Sequence, residues 1–251
     1  MKKNAREFII YEDDSIAVVN KPAGLLTLPD RYRRDTPNVR AMLEKRYGAI
    51  FVVHRLDKDT SGVLAFARNA EAHRNLSMQF EHHIPEKIYG AIVSGIVEQD
   101  EFDIDIPLAD DERRPGLTRP SARGKESLTS VKVVERFRAA TYLECRPKTG
   151  RRHQIRVHLA AVGHPLLVDS DYGRISEFML STLKRRYKVS KGETERPLIA
   201  RATLHAASLT LQYPDESSKF SVSAPLPKDM SATLQALRKY AEYVPIESYF
   251  F

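Results

Sequence analysis

A single cysteine, Cys145, is the first scarcity in this chain of 251 residues. One thiol closes no internal disulfide and builds no cysteine-based zinc cluster. Lying between Leu143 and Arg146 in a strand-like stretch, it reads as a small buried side chain. Long apolar runs are also missing. The basic start, Met1 to Arg6, leads only to Phe8, Ile9, Ile10 and Tyr11 before Glu12, Asp13 and Asp14 intervene, so no secretory signal is expected. Nowhere does an uncharged apolar run approach the roughly 20 residues of a membrane helix. The expected location is the cytoplasm. No Gly-rich dinucleotide fingerprint and no phosphate-binding loop occurs, and there is neither an internal repeat nor a low-complexity tract.

What is present describes an ordinary globular chain, 42% hydrophobic and 29% charged, long enough to bury a core unaided. We expect one domain over residues 1–251, built as two halves that share a sheet. Lys plus Arg number 40 against 33 acids, a formal net charge of +7, which points towards polyanionic partners. The distribution is uneven. Arg31, Arg33 and Arg34, then Lys148, Arg151 and Arg152, then Lys184, Arg185, Arg186, Lys188 and Lys191 cluster, while acids gather between Glu98 and Glu112. That asymmetry fits one phosphate-facing side.

Ile9 to Tyr11 and Ile16 to Val19 flank a turn-like Glu12-Asp13-Asp14-Ser15 and predict a hairpin ended by Asn20-Lys21-Pro22-Ala23-Gly24. Val39, Met42, Leu43 and Tyr47 predict one short helix. Ala72, Leu76 and Phe80 predict a second after Asn69. Between these helices, strands at Ile50 to Val53 and Val63 to Ala67 bracket the polar segment His54 to Gly62. Further strands are expected at Lys87 to Val93, Phe102 to Ile106, Ser130 to Glu135, Thr141 to Arg146, Leu204 to Tyr213 and Phe220 to Val222. A helix is expected from Gln154 to Val162, with Ile155, Leu159 and Val162 on one face, Gly163 as its stop, and Arg152 and Arg156 a turn apart. Two more are expected over Ile175 to Tyr187, followed by a polar loop from Lys188 to Arg196, and over Met230 to Tyr243. Strands outnumber helices without regular crossover helices, which predicts a mixed, mainly antiparallel α+β fold.

The densest polar constellation is His54-Arg55-Leu56-Asp57-Lys58-Asp59-Thr60-Ser61-Gly62. Two carboxylates among three cations favour an ionised acid, able to serve as nucleophile, general base or stabiliser of a glycosidic carbon. A solvated polar loop with capping aspartates would show the same letters. A second constellation, Lys148-Thr149-Gly150-Arg151-Arg152-His153-Gln154-Ile155-Arg156-Val157-His158, enters a helix and offers N–H groups and cations to phosphate. His153 and His158 are five residues apart without a converging ligand set, so both read as structural histidines and no metal site is expected.

Taken in order, Asn20-Lys21-Pro22-Ala23-Gly24, His54-Arg55-Leu56-Asp57 with Thr60-Ser61-Gly62, Lys87-Ile88-Tyr89, Gly150 to His158, and Leu204-His205-Ala206 resemble the RluA-type pseudouridine synthases over roughly Tyr11 to Leu226. The resemblance implies a mainly antiparallel central sheet with flanking helices and an active-site cleft across it. It implies Asp57 as the catalytic aspartate, Arg55 as the side chain filling the gap left by an extracted nucleotide, Tyr89 stacked on the target uracil, and Arg156 paired with the aspartate. Lys87 would help to orient the site. His54, Thr60 and Gln154, with Lys21, look like supporting residues of the substrate-binding region, to which Arg151 and Arg152 also belong. Two departures stand out: Thr27-Leu28-Pro29 replaces a common Val-His-Pro element, and Val168 precedes Asp169 where glycine is common. Neither is expected to touch the nucleophile, and both are expected to reshape a substrate loop. The Asn20-Lys21-Pro22 element begins too early for the small S4-type RNA-binding domain of many relatives.

The implied activity is the isomerisation of uridine in structured RNA, a tRNA or rRNA stem-loop, by a monomer that needs no cofactor, no metal and no obligate protein partner. Lack of an added RNA-binding domain tilts the expected substrate towards tRNA. Two other readings fit parts of the sequence: a nucleosidase or glycoside hydrolase using Asp57 and Asp59, and a basic RNA-binding protein without catalysis.

Overall fold

The computed structural model describes residues 7–30, 33, 35–184, 186–189, 192–214 and 218–243. The chain divides into two compact units, residues 1–89 with 204–225 and residues 90–203 with 226–251. Arg31, Arg34, Arg185 and Lys191 of the expected basic clusters lie outside the described residues.

In the first unit, β1 (Ile9–Glu12) and β2 (Ile16–Lys21) form the expected hairpin, and Asp13 caps its turn by accepting from the N–H groups of Ser15 and Ile16 at 2.8 Å each. β2 pairs antiparallel with β4 (Ser61–Ala67), β3 (Phe51–Val52) lies antiparallel on β4, and β11 (Leu204–Gln212) runs parallel to β4 and antiparallel to β12 (Lys219–Ser223). All seven residues of β4 are buried. Its pleat sends Leu64 and Phe66 to one face, against Val39 and Leu43 of α1 (Val39–Tyr47). Val63, Ala65 and Ala67 point to the other, against Ala72 and Leu76 of α2 (Ala70–Glu81). Asn38 and Asn69 cap the two helices by accepting from the N–H groups of Ala41 and Ala72.

The chain crosses into the second unit within β5 (Glu86–Ser94). There the strand order is β5, β10 (Ala140–Pro147), β9 (Leu128–Arg136), β6 (Glu101–Asp105). Cys145 is fully buried on β10, as expected. The acids Glu101, Asp103 and Asp105 occupy the outward face of β6. A small hairpin, β7 (Leu108–Asp110) with β8 (Thr118–Pro120), carries no apolar alternation and was not expected from sequence. Among the described residues, α3 (Gln154–Ala161) and α4 (Lys228–Tyr240) complete a mixed α+β fold of four α-helices and mostly antiparallel sheet. Among the described residues, no helix is long and apolar enough to cross a membrane.

Three expectations need correction. No α-helix spans 175–187: the described part is irregular, with one 3₁₀ turn at Leu180–Thr182. Phe178 is drawn into the core and exchanges backbone hydrogen bonds with Leu198 and Ile199, which holds it extended, while Glu195 accepts from the N–H of Ser181. Tertiary pairing therefore overrides the helical spacing. α4 ends at Tyr240, because the carbonyl of Ala241 accepts from Arg138 and Glu242 bridges to Phe137. α3 is buried on Gln154 through Leu159 rather than along one stripe, and Val162 lies exposed beyond it.

Candidate active site

The first unit holds the loop 54–60 between β3 and β4 by its backbone. The carbonyl of Lys58 accepts from the Lys21 ammonium at 2.9 Å and from the N–H of Gly24 at 2.9 Å, and the carbonyl of Asp57 accepts from the N–H of Thr60 at 3.2 Å. Lys21 is fully buried and also donates to the carbonyls of Pro22 and Leu25, so it ties the Pro22 to Leu25 turn to the loop. At the far end, Gly62 has φ +116° and lies so close to Ala206 that a Cβ would stand 2.1 Å from its carbonyl oxygen. Only glycine fits. Its neighbour Ser61 shares a 3.0 Å hydrogen bond with His205 Nδ1.

His54 supports this loop. Its Nε2 accepts from the N–H of Ala65 at 2.9 Å, which puts the proton on Nδ1, and its ring stacks on Phe80 at 4.6 Å. Burial and the charge of Lys87 lower its pKa to about 3, so the ring is neutral at physiological pH. Around this frame Arg55 is exposed, Asp57 half-buried and Thr60 buried. Tyr89, on β5, packs against the same core as Leu56 and Ala206. Burial first, and the Asp57 carboxylate second, push its phenol upward, so the ring carries a neutral hydroxyl within electrostatic reach of Asp57.

The second unit fixes its cations through side chains instead. Gln154 is buried with its oxygen accepting from Thr149 and from the N–H of Arg151, while its amide donates to the Leu128 carbonyl and the Thr129 hydroxyl. His158 completes this network, fully buried: Nε2 donates to the carbonyl of Ile106, so Nδ1 must accept from the Thr129 hydroxyl. The N–H of Arg151 is thus already used within the protein. His153 adopts the left-handed conformation at φ 54°, and the helix starts at Gln154 as expected, with Arg152 outside it and Arg156 in its first turn. Arg152 is exposed and stands 3.6 Å from Asp110; Arg151 donates to the carbonyl of Glu126.

Arg156 is 7% exposed. Its Nε and one terminal nitrogen form a two-point bond with Asp169 at 2.7 and 2.6 Å, the same nitrogen reaches Asp171 at 2.7 Å, and the guanidinium lies 4.9 Å from the Tyr172 ring centroid. Burial pushes Asp169 up, but the Arg156 guanidinium and the N–H groups of Asp171 and Tyr172 outweigh it and hold the carboxyl below its ordinary range. Tyr172 continues the network, its hydroxyl sharing a 2.8 Å bond with His153 Nδ1 and accepting from the N–H of Thr118. Sequence reasoning noted Asp169 only as the residue after a missing glycine. The available signal was Asp169-Ser170-Asp171-Tyr172, an acidic turn directly after the buried Leu166-Leu167-Val168.

Comparison with known proteins supplies the class. The profile of the RNA pseudouridylate synthase family matches residues 15–161, and the chain belongs to that family. Over 212 residues it is 38% identical to the dual-specificity RNA pseudouridine synthase RluA of Vibrio vulnificus, covering 82% of this chain and 78% of that one. Over 236 residues it is 36% identical to the ribosomal large subunit pseudouridine synthase D of Neisseria meningitidis, covering 92% of this chain and 61% of the relative, so the chain spans less than two thirds of that protein's length. Among solved structures, human RNA pseudouridylate synthase domain containing 1 superposes with a TM-score of 0.68 at 25% identity, covering 94% of this chain and 96% of that one.

Proposed function

We propose that this chain isomerises uridine to pseudouridine in structured RNA, with Asp57 as the catalytic carboxylate. The observation that carries the reading is the backbone of the Asp57 loop, held on both sides of the carboxylate, together with the half-buried Tyr89, whose phenol the Asp57 charge helps to push upward. That arrangement fits a site in which an aromatic face holds a base and an acid works on its glycosidic bond. The family profile spans parts of both units, which supports reading them as one catalytic domain.

The reaction breaks the bond from ribose C1′ to uracil N1, turns the base, joins C1′ to C5, and moves a proton from C5 so that N1 finally carries one. Atoms and electrons balance without a cofactor. The base has to leave its stack, at about a few kcal/mol, and Arg55, which is exposed, is proposed to fill the vacated space. Asp57 then acts as a carboxylate, by adding to the sugar or base or by taking a ribose proton. Arg156, following the resemblance, is the cation proposed to keep that carboxylate ionised when water is excluded. Tyr89 meets the uracil as a neutral ring and hydroxyl. Its hydroxyl is proposed to take part in moving the C5 proton. Arg151, Arg152 and Lys148 supply positive charge for the RNA backbone. Since one relative is named for ribosomal large-subunit RNA and another for dual specificity, both tRNA and rRNA belong in the test.

The experiment is incubation of wild-type and Asp57→Asn protein with deproteinised total RNA from a strain lacking the gene, followed by pseudouridine mapping. New sites that depend on Asp57 are expected. A folded Asp57→Asn protein with wild-type turnover would sink the assignment, free uracil would indicate a hydrolase, and salt-sensitive binding with unchanged uridines would indicate a non-catalytic RNA-binding protein.

A further inference from the structure

Resting on the reading of Asp57 as the catalytic carboxylate, we infer that Thr27 is the positioning residue that sets where that carboxylate stands. Thr27 is 4% exposed, and its hydroxyl both donates to the carbonyl of Leu56 at 2.8 Å and accepts from the N–H of Leu56 at 3.2 Å. A single side-chain oxygen thereby satisfies both polar backbone groups of the residue directly before Asp57. The residue directly after it, Lys58, has its carbonyl taken by Lys21 and by Gly24. The residues on either side of Asp57 are therefore both bonded to one short segment, residues 21–27.

That segment is anchored in turn. The carbonyls of Leu26 and Thr27 accept from the N–H groups of Val39 and Arg40 at 2.9 and 3.2 Å, the first two of α1, and Val39 and Leu43 of that helix pack in the same core as Leu56. A continuous path of hydrogen bonds thus runs from the helix through the backbone and hydroxyl of Thr27 to the Asp57 loop. The Thr27-Leu28-Pro29 element was not expected to touch the nucleophile, and Thr27 bonds the residue before it rather than Asp57 itself. Valine matches threonine in shape but offers no oxygen, so replacing the hydroxyl leaves the buried N–H and C=O of Leu56 without that partner while the packing volume stays the same.

The test compares wild type, Thr27→Val, Thr27→Ser and Asp57→Asn in single-site pseudouridine formation, with kcat and KM separated, together with hydrogen exchange at the Leu56 amide. Thr27→Val is expected to lower kcat by about tenfold or more, the scale of a displacement of about 1 Å at a reacting group, with KM for RNA within about twofold. Thr27→Ser is expected to restore kcat, and the Leu56 amide to exchange faster in the valine variant alone. A Thr27→Val protein that keeps wild-type kcat while Asp57→Asn is dead overturns the positioning role and leaves the Asp57 reading intact. Failure of serine to rescue overturns it as well, since the methyl group rather than the hydroxyl would then matter. An active Asp57→Asn protein removes the reading itself. Should Thr27→Val not fold, Thr27→Ala removes the same oxygen, and the same fall in kcat is expected, with wild-type kcat again overturning the positioning role.

Discussion

The loop around Asp57 and the cluster around Arg156 solve the same problem, holding a charged side chain in place, by opposite means. In the first unit the chain's own peptide groups are held, by Lys21, Gly24 and Thr60, and the neutral His54 ring braces the adjoining strand. In the second, a buried guanidinium is gripped by the carboxylates of Asp169 and Asp171 under the Tyr172 ring. Backbone tethers fix where a residue starts and leave its side chain for chemistry. Ionic clamps fix the side chain itself, and depend on every charge being present.

The sharpest way to break that comparison is to remove one charge from the clamp. Asp169→Ala removes the fully buried carboxylate that holds Arg156 at two points, and breaking such a buried pair costs about 3 to 5 kcal/mol. Chemical denaturation should show a lowered midpoint of that order. A loss below about 1 kcal/mol would mean that the pair is solvated and no clamp.

In the first unit the comparable deletion is chemical rather than structural. Tyr89→Phe keeps the ring packed on the core that holds Leu56 and Ala206 but removes the hydroxyl within electrostatic reach of Asp57. Turnover should fall about 100-fold, the usual contribution of a positioned proton-transfer group, with RNA affinity retained. Wild-type turnover would confine Tyr89 to stacking.

Acid separates the two regions further. His54 ordinarily titrates near 6.5 and is lowered to about 3, so the folded state binds fewer protons than the unfolded one, and the stability it contributes, complete above pH 6.5, is lost as pH falls from there towards 3. Asp169 is also depressed, but its contribution persists until pH falls below the ordinary carboxylate range. Loosening around the Asp57 loop should therefore begin at milder acidity than loss of the Asp169 clamp, with a slope of at most about 1.4 kcal/mol per pH unit for one proton. A proton NMR titration checks the cause: no inflection of the His54 ring signal is expected between pH 5 and 8, and a midpoint near 6.5 would refute its buried, neutral state.

The same contrast explains what the sequence made legible. Strand alternation and the Asn38 and Asn69 caps are local, so β1 to β4, α1 and α2 follow from spacing, and Asp57 sits in a segment bracketed by two apolar strands. The clamp on Arg156 joins residues 13 and 15 positions apart, and nothing in the spacing of Arg156, Asp169 and Asp171 announces that they meet. The missing helix over 175–187 has the same origin, since the pull on Phe178 comes from Ile199. His153 illustrates a third limit: its left-handed backbone, just before α3, is not marked by a glycine in the sequence.

The smallest expected effect sits in the loop itself. The Thr60 hydroxyl is buried without a hydrogen-bond partner, while its N–H is spent on the Asp57 carbonyl. An unpaired buried hydroxyl carries a desolvation penalty that valine, nearly the same shape, does not, so Thr60→Val should raise stability by about 1 kcal/mol and leave the backbone tether unchanged. A measured loss of stability would show that the hydroxyl finds a partner in solution, an ordered water included. In that case the Asp57 loop would be held by a side-chain bond as well as by its peptides, and the contrast with the Arg156 clamp would narrow by one interaction.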